Sequence, residues 1–309
     1  MAIVGYQGSS SHGLLRLQNN NYYFSNANPA VSAPFYFIPG ANANFNALNT
    51  EVKRNFRNGL LVDFLYTYSK SIDIVSAEGP GFVTNPTYPA DLRTERGPSD
   101  YDATHNLRVF ALWDLPIFRG RHDLIGNTLG GWEWNGDFQF HSGFPWTPVA
   151  SNNCFTLGAQ FLCPVRPTAY LGNALHNAST DAFLPPNVGN FPDGGTNTFT
   201  TTAPIPSFPG IGRNSFRGPR FSQFDFTFVK NFGLPQMKFV GDGGKIQLRL
   251  NMFNAFNKLN LTPFLFGSPS TLITTGNDST GQPIPNSQFG FAATGLAGRT
   301  LSLEGRFVF

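Results

Sequence analysis

Apolar and polar residues alternate along this chain with a period of two, in segments of about ten residues. The clearest segment runs from Ile246 to Met252, where every second residue is apolar and each residue between is polar. Side chains of a β-strand point alternately to opposite faces, so such a segment has one apolar and one polar face. Segments of this length and alternation are typical of transmembrane β-strands. The pattern therefore predicts an all-β, antiparallel fold.

Eight segments carry this alternation or are rich in strand-forming residues. The strands are predicted at 1–9, 46–55, 59–69, 106–116, 131–142, 221–231, 244–257 and 299–309. Between the second and third strands, the Asn58-Gly59 pair is a strong signal for a two-residue hairpin turn.

The connections between these strands alternate in length. Short links at 117–130 and 232–243 alternate with long segments at 70–105, 143–219 and 258–298. Outer-membrane barrels have short periplasmic turns and long extracellular loops. This rhythm predicts that the long segments face outward and that the chain starts and ends on the periplasmic side.

Composition favours a membrane barrel over a soluble β-sandwich, which shows the same alternation. Charged residues make up 13% of the chain and aromatic residues 15%, whereas a typical soluble domain is roughly 25% charged. Aromatic residues gather near the predicted strand ends, as they do at lipid interfaces. We therefore predict a transmembrane antiparallel β-barrel, partial and of about eight strands.

Several other classes of protein do not fit the sequence. Every apolar stretch is interrupted well before the ~18 residues that a transmembrane helix requires, and a net charge of +3 with scattered Lys and Arg does not suggest nucleic acid. The five histidines lack the spacing of a zinc site, and the sequence contains neither a phosphate-binding loop nor a nucleophile elbow. We expect no enzymatic activity, catalytic residue, cofactor or metal.

Short segments spread over residues 45–309 together resemble Oar-like TonB-dependent receptors. They are Phe45–Leu48 before a strand, Tyr66–Asp73, Asp102–Leu107, Ser142–Pro145, Asn251–Asn257 and Arg306–Phe309. The resemblance implies a barrel of about 22 strands with a plugged lumen, placed in the Gram-negative outer membrane and driven by the TonB system. It also implies that the last strand, with Phe307 and Phe309, is the terminal signal that the barrel-assembly machinery recognises.

The chain departs from that family's pattern because the plug domain, the TonB-contacting segment and a signal peptide are missing from it. We therefore expect residues 1–309 to be the C-terminal part of a receptor-like barrel, surrounded by outer-membrane lipid. They would supply barrel wall and extracellular loops that contact an unknown ligand, with TonB acting only through the missing plug. The alternative is an adhesive or binding module, either a self-standing barrel or a β-sandwich, that uses its long loops.

The polar faces of the predicted strands carry charged side chains, which a barrel tolerates on its lumen side because water or protein lies there. The candidate lumen-facing residues are Asp137, Asp225, Arg249, Glu304 and Arg306.

An acidic group in the 70–105 segment is the other cluster of charge. It contains Asp91, Glu95, Asp100 and Asp102, beside Arg93, Arg96 and Arg108. We expect a solvated loop whose opposite charges pair weakly. A loop that binds a cation or another ligand is the alternative.

Cys154 and Cys163 lie in one loop-like stretch, and an oxidising compartment favours a disulfide between them over two free thiols. Closing this short loop would stabilise the fold by ~2–4 kcal/mol. We expect thiol labelling of intact, non-reduced cells to leave both cysteines unlabelled, with labelling restored by a reductant. Two freely reactive thiols before reduction contradict the bridge.

Overall fold

The computed structural model describes residues 1–18, 36–76, 91–118, 121, 124–149, 166, 169–170, 199–200, 211–233, 244–264, 269–277, 279, 283–292 and 294–308. Its main element is an antiparallel sheet of eight long strands, to which the short strand Gly97–Pro98 adds a ninth. The predicted all-β antiparallel fold is confirmed, and each predicted strand is present. The long strands are β1 (Ala2–Gln18), β2 (Tyr36–Arg57), β3 (Leu60–Asp73), β4 (His105–Asp114), β5 (Trp132–His141), β6 (Phe221–Gly233), β7 (Lys245–Phe253) and β8 (Thr300–Val308).

Strands that follow one another in the chain are neighbours in the sheet, in the order β1 to β8. Because every pair is antiparallel, the connections β2–β3, β4–β5 and β6–β7 lie at one end, which we call the short-turn end. The remaining connections lie at the opposite, long-loop end. The predicted alternation of short and long connections is confirmed.

The hairpin between β2 and β3 turns at Asn58 and Gly59, whose φ angles are 55° and 80°. Two central residues with positive φ are what a type I′ turn requires, and Asn-Gly adopts it at low cost. The predicted hairpin turn is confirmed.

β7 ends at Phe253, four residues before the predicted end. Asn254 and Asn257 both have positive φ, 49° and 51°, and a strand cannot continue through that conformation. β6 extends beyond this point, and there the Asn260 side chain replaces a strand partner. Its Oδ1 accepts from the Ser222 N–H and its Nδ2 donates to the Ser222 carbonyl, both at 3.0 Å.

β1 and β2 are much longer than predicted, at 17 and 22 residues instead of the segments 1–9 and 46–55. The added lengths at the long-loop end combine runs of small and polar residues with consecutive apolar ones, such as Leu14-Leu15 and Phe37-Ile38, so no period-two alternation marks them. Phe45–Leu48, which we expected before a strand, therefore lies inside β2.

The strands are strongly staggered. One row of paired residues begins at Ala2, the first residue of β1, and crosses successive strands to Phe224 of β6. Because Phe226 pairs with Met252, this row passes beyond Phe253 at the end of β7. A row that starts at the short-turn end thus leaves at the long-loop end. Such a stagger is the tilt that a barrel wall requires.

The sheet is open within the described ranges. β1 and β8 are its outer strands, and neither pairs with the other there. Their outer backbone groups are therefore available to further strands.

The two faces of the sheet differ in chemistry. One face, which we call the apolar face, exposes large hydrophobic side chains, with Leu248 44% and Leu303 77% accessible. On it Phe138 of β5 stacks on Phe224 of β6 with ring centroids 4.1 Å apart. The opposite, polar face carries all five candidate lumen-facing residues by register: Asp137, Asp225, Arg249, Glu304 and Arg306.

A buried hydrophobic cluster lies outside the sheet, in the long loops. The short strands Pro145–Trp146 and Phe216–Arg217 pair there, and Val149 forms a parallel bridge with Leu272. The members of this cluster, the loop core, are Trp146, Phe216, Phe264, Ile273 and Phe289. The β5–β6 and β7–β8 connections are therefore packed together as a folded layer at the long-loop end.

Helical structure is slight in the described part of the chain. It consists of α1 (Leu124–Leu129) in the β4–β5 connection and a single 3₁₀ turn, Leu92–Glu95. None of the helices described is long and apolar enough to cross a membrane.

The assignment of faces predicts opposite outcomes for two arginine substitutions. Leu248→Arg should destabilise the assembled protein by about 2–4 kcal/mol, because a guanidinium near mid-bilayer loses its water. Ser302→Arg on the polar face should have little effect. Unfolding in detergent, followed by heat-modifiable gel migration, measures both. Equal losses would contradict the assignment. Gln247 is unsuited as the control because it is 5% exposed and hydrogen-bonded to Asn231.

Candidate functional site

Three arginines of the β5–β6 connection pair with acidic residues that lie between β3 and β4. Arg166 Nη2 lies 2.9 Å from Glu95 Oε1, and Arg217 Nη2 lies 2.5 Å from Asp102 Oδ2. The third pair joins the Arg213 guanidinium to the Asp73 carboxylate. We call these six residues the arginine clasp.

The sheet positions the acidic half of the clasp. Asp73 is the last residue of β3, Asp102 lies three residues before β4, and Glu95 ends the 3₁₀ turn between them. On the other side, Arg217 belongs to the short strand that pairs with Pro145–Trp146, directly after β5. The clasp therefore ties the β3–β4 connection to the β5–β6 connection.

Arg213 has the most partners of the three arginines. Besides the Asp73 carboxylate, its guanidinium donates to the backbone carbonyl oxygens of Asp73 at 2.8 Å and Glu95 at 2.9 Å. It also donates to Ser76 Oγ at 3.1 Å and approaches Asp100 Oδ1 at 3.3 Å. The planar fork of arginine suits such divided hydrogen bonding. Arg213 therefore fixes the backbone of the β3–β4 connection as well as its charges.

Asp102 joins Arg217 to the end of β3. Its Oδ1 accepts from the Ser71 N–H at 2.7 Å, while Oδ2 accepts from Arg217. Arg217 Nη1 donates in turn to the Asp102 carbonyl at 2.6 Å and to the Gly143 carbonyl at 3.3 Å. One ion pair thus holds the ends of three strands in place.

The Arg166–Glu95 pair is almost fully enclosed, with side-chain exposures of 1% and 4%. Burial lowers the pKa of Arg166, and the adjacent Glu95 carboxylate acts in the opposite direction. Arginine nevertheless stays protonated in proteins. Arg166 and Glu95 therefore act as each other's counter-charge, and removing either side chain would remove the opposite charge that faces the other in a buried site.

Two close backbone approaches also depend on glycine. A Cβ on Gly97 would lie 2.4 Å from the Arg213 carbonyl oxygen, and one on Gly143 would lie 1.9 Å from that of Gly218. The first contact brings the β5–β6 connection against the β3–β4 connection, and the second brings the two ends of the β5–β6 connection together. A side chain at either glycine would force these segments apart.

Burial contradicts the expectation of a solvated, weakly paired acidic loop. The expectation of a solvated pair holds for Asp91, whose partner Arg93 is exposed. A hydrogen bond from Arg93 lowers the pKa of Asp91. Glu95 and Asp102 are instead buried, and their partners are 71 and 115 residues away in the chain. Arg108, which we grouped with them, pairs with Asp137 on the polar face at 2.7 Å.

Sequence reasoning missed the arginines of the clasp. A usable signal was the run 212–219, where two arginines stand among glycine and proline in a weakly charged loop. A second signal was that Asp73, Asp102 and Gly143 each lie in a segment that resembles the Oar-like receptors. Those segments meet at the long-loop end of the sheet.

Four of the candidate lumen-facing residues lie opposite one another in pairs across the polar face, and each is hydrogen-bonded to a neighbouring residue. Asp137 and Asp225 are directly opposite each other, and Arg108 and the Asn254 N–H offset their like charges. Arg249 and Glu304 are also opposite, and they are held by the amide groups of Gln247 and Asn251.

Some buried polar atoms on this face have no hydrogen-bond partner among the residues described. They are Asp63 Oδ1, Asn135 Oδ1 and Arg249 Nε. Buried polar atoms are costly unless water or protein satisfies them. The charged and amide side chains of this face, rather than these enclosed atoms, are what suit contact with water or another part of a protein.

The remaining predicted site residues are placed as follows. Phe307 is exposed on the apolar face of β8. Cys154, Cys163 and Phe309 lie outside the described residues. Within the described residues, no group of three His, Cys, Asp or Glu side chains is arranged to hold a metal.

A family described as an outer membrane beta barrel domain matches residues 1–299, which is nearly the whole chain. No curated protein matches the chain.

The clasp predicts a non-additive effect of mutation. Arg166→Met should destabilise the loop layer by about 3–5 kcal/mol, because it removes the cation that faces the buried Glu95 carboxylate. Adding Glu95→Gln should recover much of this loss. Trypsin sensitivity of the long loops, together with thermal unfolding in detergent, measures both. The exposed pair gives the control, since Asp91→Asn should change neither. Additive losses at Arg166 and Glu95 would show that the two charges are not coupled.

Proposed function

Because the chain belongs to the outer membrane beta barrel domain family, we propose that it forms barrel wall and extracellular loops of a TonB-dependent receptor or transporter. The chain lies in the Gram-negative outer membrane, as its family does. The apolar face then contacts lipid, the short-turn end is periplasmic and the long-loop end is extracellular.

The observation that carries this proposal is the open, staggered sheet with its polar face. A closed barrel of eight strands has an interior that side chains alone fill. Here both outer strands lack a partner among the described residues, and the polar face carries charged side chains such as Arg249 and Glu304. Both features support a wider barrel whose lumen holds water or a plug.

The arginine clasp supports a receptor role at the extracellular end. A binding surface made of loops gains affinity when the loops are ordered before the ligand arrives. The clasp and the loop core order the connections in this way. Tyr101, which is 59% exposed and adjacent to Asp102, is a side chain that such a surface presents.

We further propose that the protein binds and transports without catalysing a reaction. The carboxylates of Asp73, Glu95 and Asp102 are engaged by arginines, an arrangement that holds structure together. The barrel-assembly machinery is the proposed partner in biogenesis, and TonB the proposed partner in energised uptake.

An adhesive or binding module is the second candidate. The loop core favours it, because the β5–β6 and β7–β8 connections pack together through Trp146 and Phe264 with no part played by the polar face. An extracellular layer of this kind can bind a partner whether or not the barrel conducts a substrate.

Uptake and attachment assays distinguish these functions. In the native organism, deletion of the gene and loss of TonB energisation should each abolish uptake of the same substrate from a panel of ferric siderophores, cobalamin and glycans. A strain with both defects should take up as little of that substrate as either single mutant, and no less. Impaired attachment with unchanged uptake would contradict the transport proposal and favour adhesion.

Residues 1–309 produced alone should support no TonB-dependent uptake. The family match and the segments that resemble the receptors both correspond to barrel strands. In TonB-dependent receptors, by contrast, the plug domain is the part that contacts TonB. Growth on a panel substrate measures uptake. Heat-modifiable migration of the membrane fraction serves as the control for insertion. Growth restored by residues 1–309 in a TonB-dependent manner would contradict this prediction.

A further inference from the structure

The β4–β5 connection at the periplasmic end exposes an apolar surface. Four large side chains in residues 117–129 are between 38% and 52% accessible: Ile117, Phe118, Ile125 and Leu129. Connections at the rim of a barrel are usually polar because they meet water. A group of exposed hydrophobic side chains there indicates contact with something other than water.

This connection is attached to the base of the apolar face. The Leu115 N–H donates to the Trp132 carbonyl at 2.9 Å, which continues the pairing of β4 with β5. On the other side, the Asn231 N–H donates to the Gly131 carbonyl at 3.0 Å, and the Lys230 ammonium donates to the Gly130 carbonyl. The apolar surface therefore continues the part of the sheet that contacts lipid.

Basic and aromatic side chains border the same surface. Lys230 lies on the apolar face, with its ammonium 5.8 Å from the Trp132 ring centroid and 4.9 Å from that of Phe232. The Arg121 guanidinium carbon lies 5.8 Å from the Phe118 ring centroid. Tryptophan with lysine or arginine marks the level of lipid headgroups, where a ring is half apolar and a cation meets phosphate.

We propose that the described part of the β4–β5 connection, residues 115–118, 121 and 124–131, forms a phospholipid-binding surface in the periplasmic leaflet, the rim site. Ile117, Ile125 and Leu129 enter the boundary between headgroups and acyl chains, about 5–10 Å deep. Arg121 is placed among the headgroup phosphates and gives a preference for anionic phospholipid. The proposal rests on the location of the chain in the outer membrane and is independent of TonB.

Lipid fits this surface better than a protein partner for two reasons. It is continuous with the apolar face, so the bilayer already reaches its edge. Arg121, the exposed charged side chain among the described residues of this connection, is cationic and complements headgroup phosphate, whereas the Lys230 ammonium is buried against the Gly130 carbonyl. A second copy of the chain would bring the same positive charges together.

Depth-dependent quenching tests the rim site. A fluorescent amino acid is placed at position 129, 248 or 101 of the full chain, in bilayers whose lipids carry bromine at shallow or deep acyl positions. We expect shallow bromine to quench best at 129, deep bromine to quench best at 248, and neither to quench at 101.

Variants test the preference for anionic lipid. In mixed bilayers, the preference of position 129 for brominated phosphatidylglycerol over brominated phosphatidylcholine should fall by up to about fivefold in Arg121→Gln. The matched control Arg96→Gln, at the extracellular end, should leave it unchanged. Ile125→Ser should weaken the quenching by shallow bromine of the label at position 129.

Each contrary outcome has a distinct meaning. Quenching at 248 without quenching at 129 overturns the rim site and leaves the barrel wall intact. Quenching at 129 that falls as protein concentration rises overturns it in favour of a second copy. An Arg121→Gln result equal to the wild type overturns the role of Arg121 as phosphate ligand. The absence of quenching at both 129 and 248 contradicts the membrane location itself.

Discussion

Backbone hydrogen bonding between neighbouring strands is the interaction on which this structure depends. In hydrocarbon, an unpaired N–H or C=O costs several kcal/mol, so only helices and laterally paired strands can cross a bilayer. The staggered pairing from β1 to β8 satisfies the backbone across the sheet. Where β7 ends early, the Asn260 amide takes the place of the missing strand beside Ser222. By the same rule, the outer edges of β1 and β8, which have no strand partner within the described residues, are where the backbone pairing is incomplete.

With the backbone paired, the side chains of the two faces determine which surroundings each face of the sheet can contact. Leu248 and Leu303 contribute to a face that suits lipid, while Arg249 and Glu304 lie on a face that suits water or protein. Stability that a soluble domain draws from its interior is therefore not available to the wall. The buried side chains gather instead in the loop core and the arginine clasp, where the chain leaves the bilayer. These order the long connections and make them a defined surface.

Period-two alternation predicted the strands well, because the bilayer imposes it on every residue that crosses. Asn58 and Gly59 identified their turn for a local reason, since both adopt positive φ. Alternation could not predict the outer halves of β1 and β2, because apolar residues there, such as Leu14 and Leu15, follow one another instead of alternating with polar ones. It could not predict the clasp either, because the Arg217–Asp102 pair joins residues 115 positions apart. Such pairs follow from the folding of the long loops, which no local pattern encodes.

The division of the sheet into a lipid face and a wet face is the central claim, and a spin-label scan tests it directly. Single labels from residue 246 to residue 252 of β7, in the intact outer membrane, report collision with oxygen, which dissolves in lipid, and with a water-soluble nickel chelate. Oxygen accessibility should peak at 246, 248, 250 and 252, and nickel accessibility should peak out of phase, at 249 and 251. A scan without a period of two, or with both probes in phase, would contradict the barrel wall.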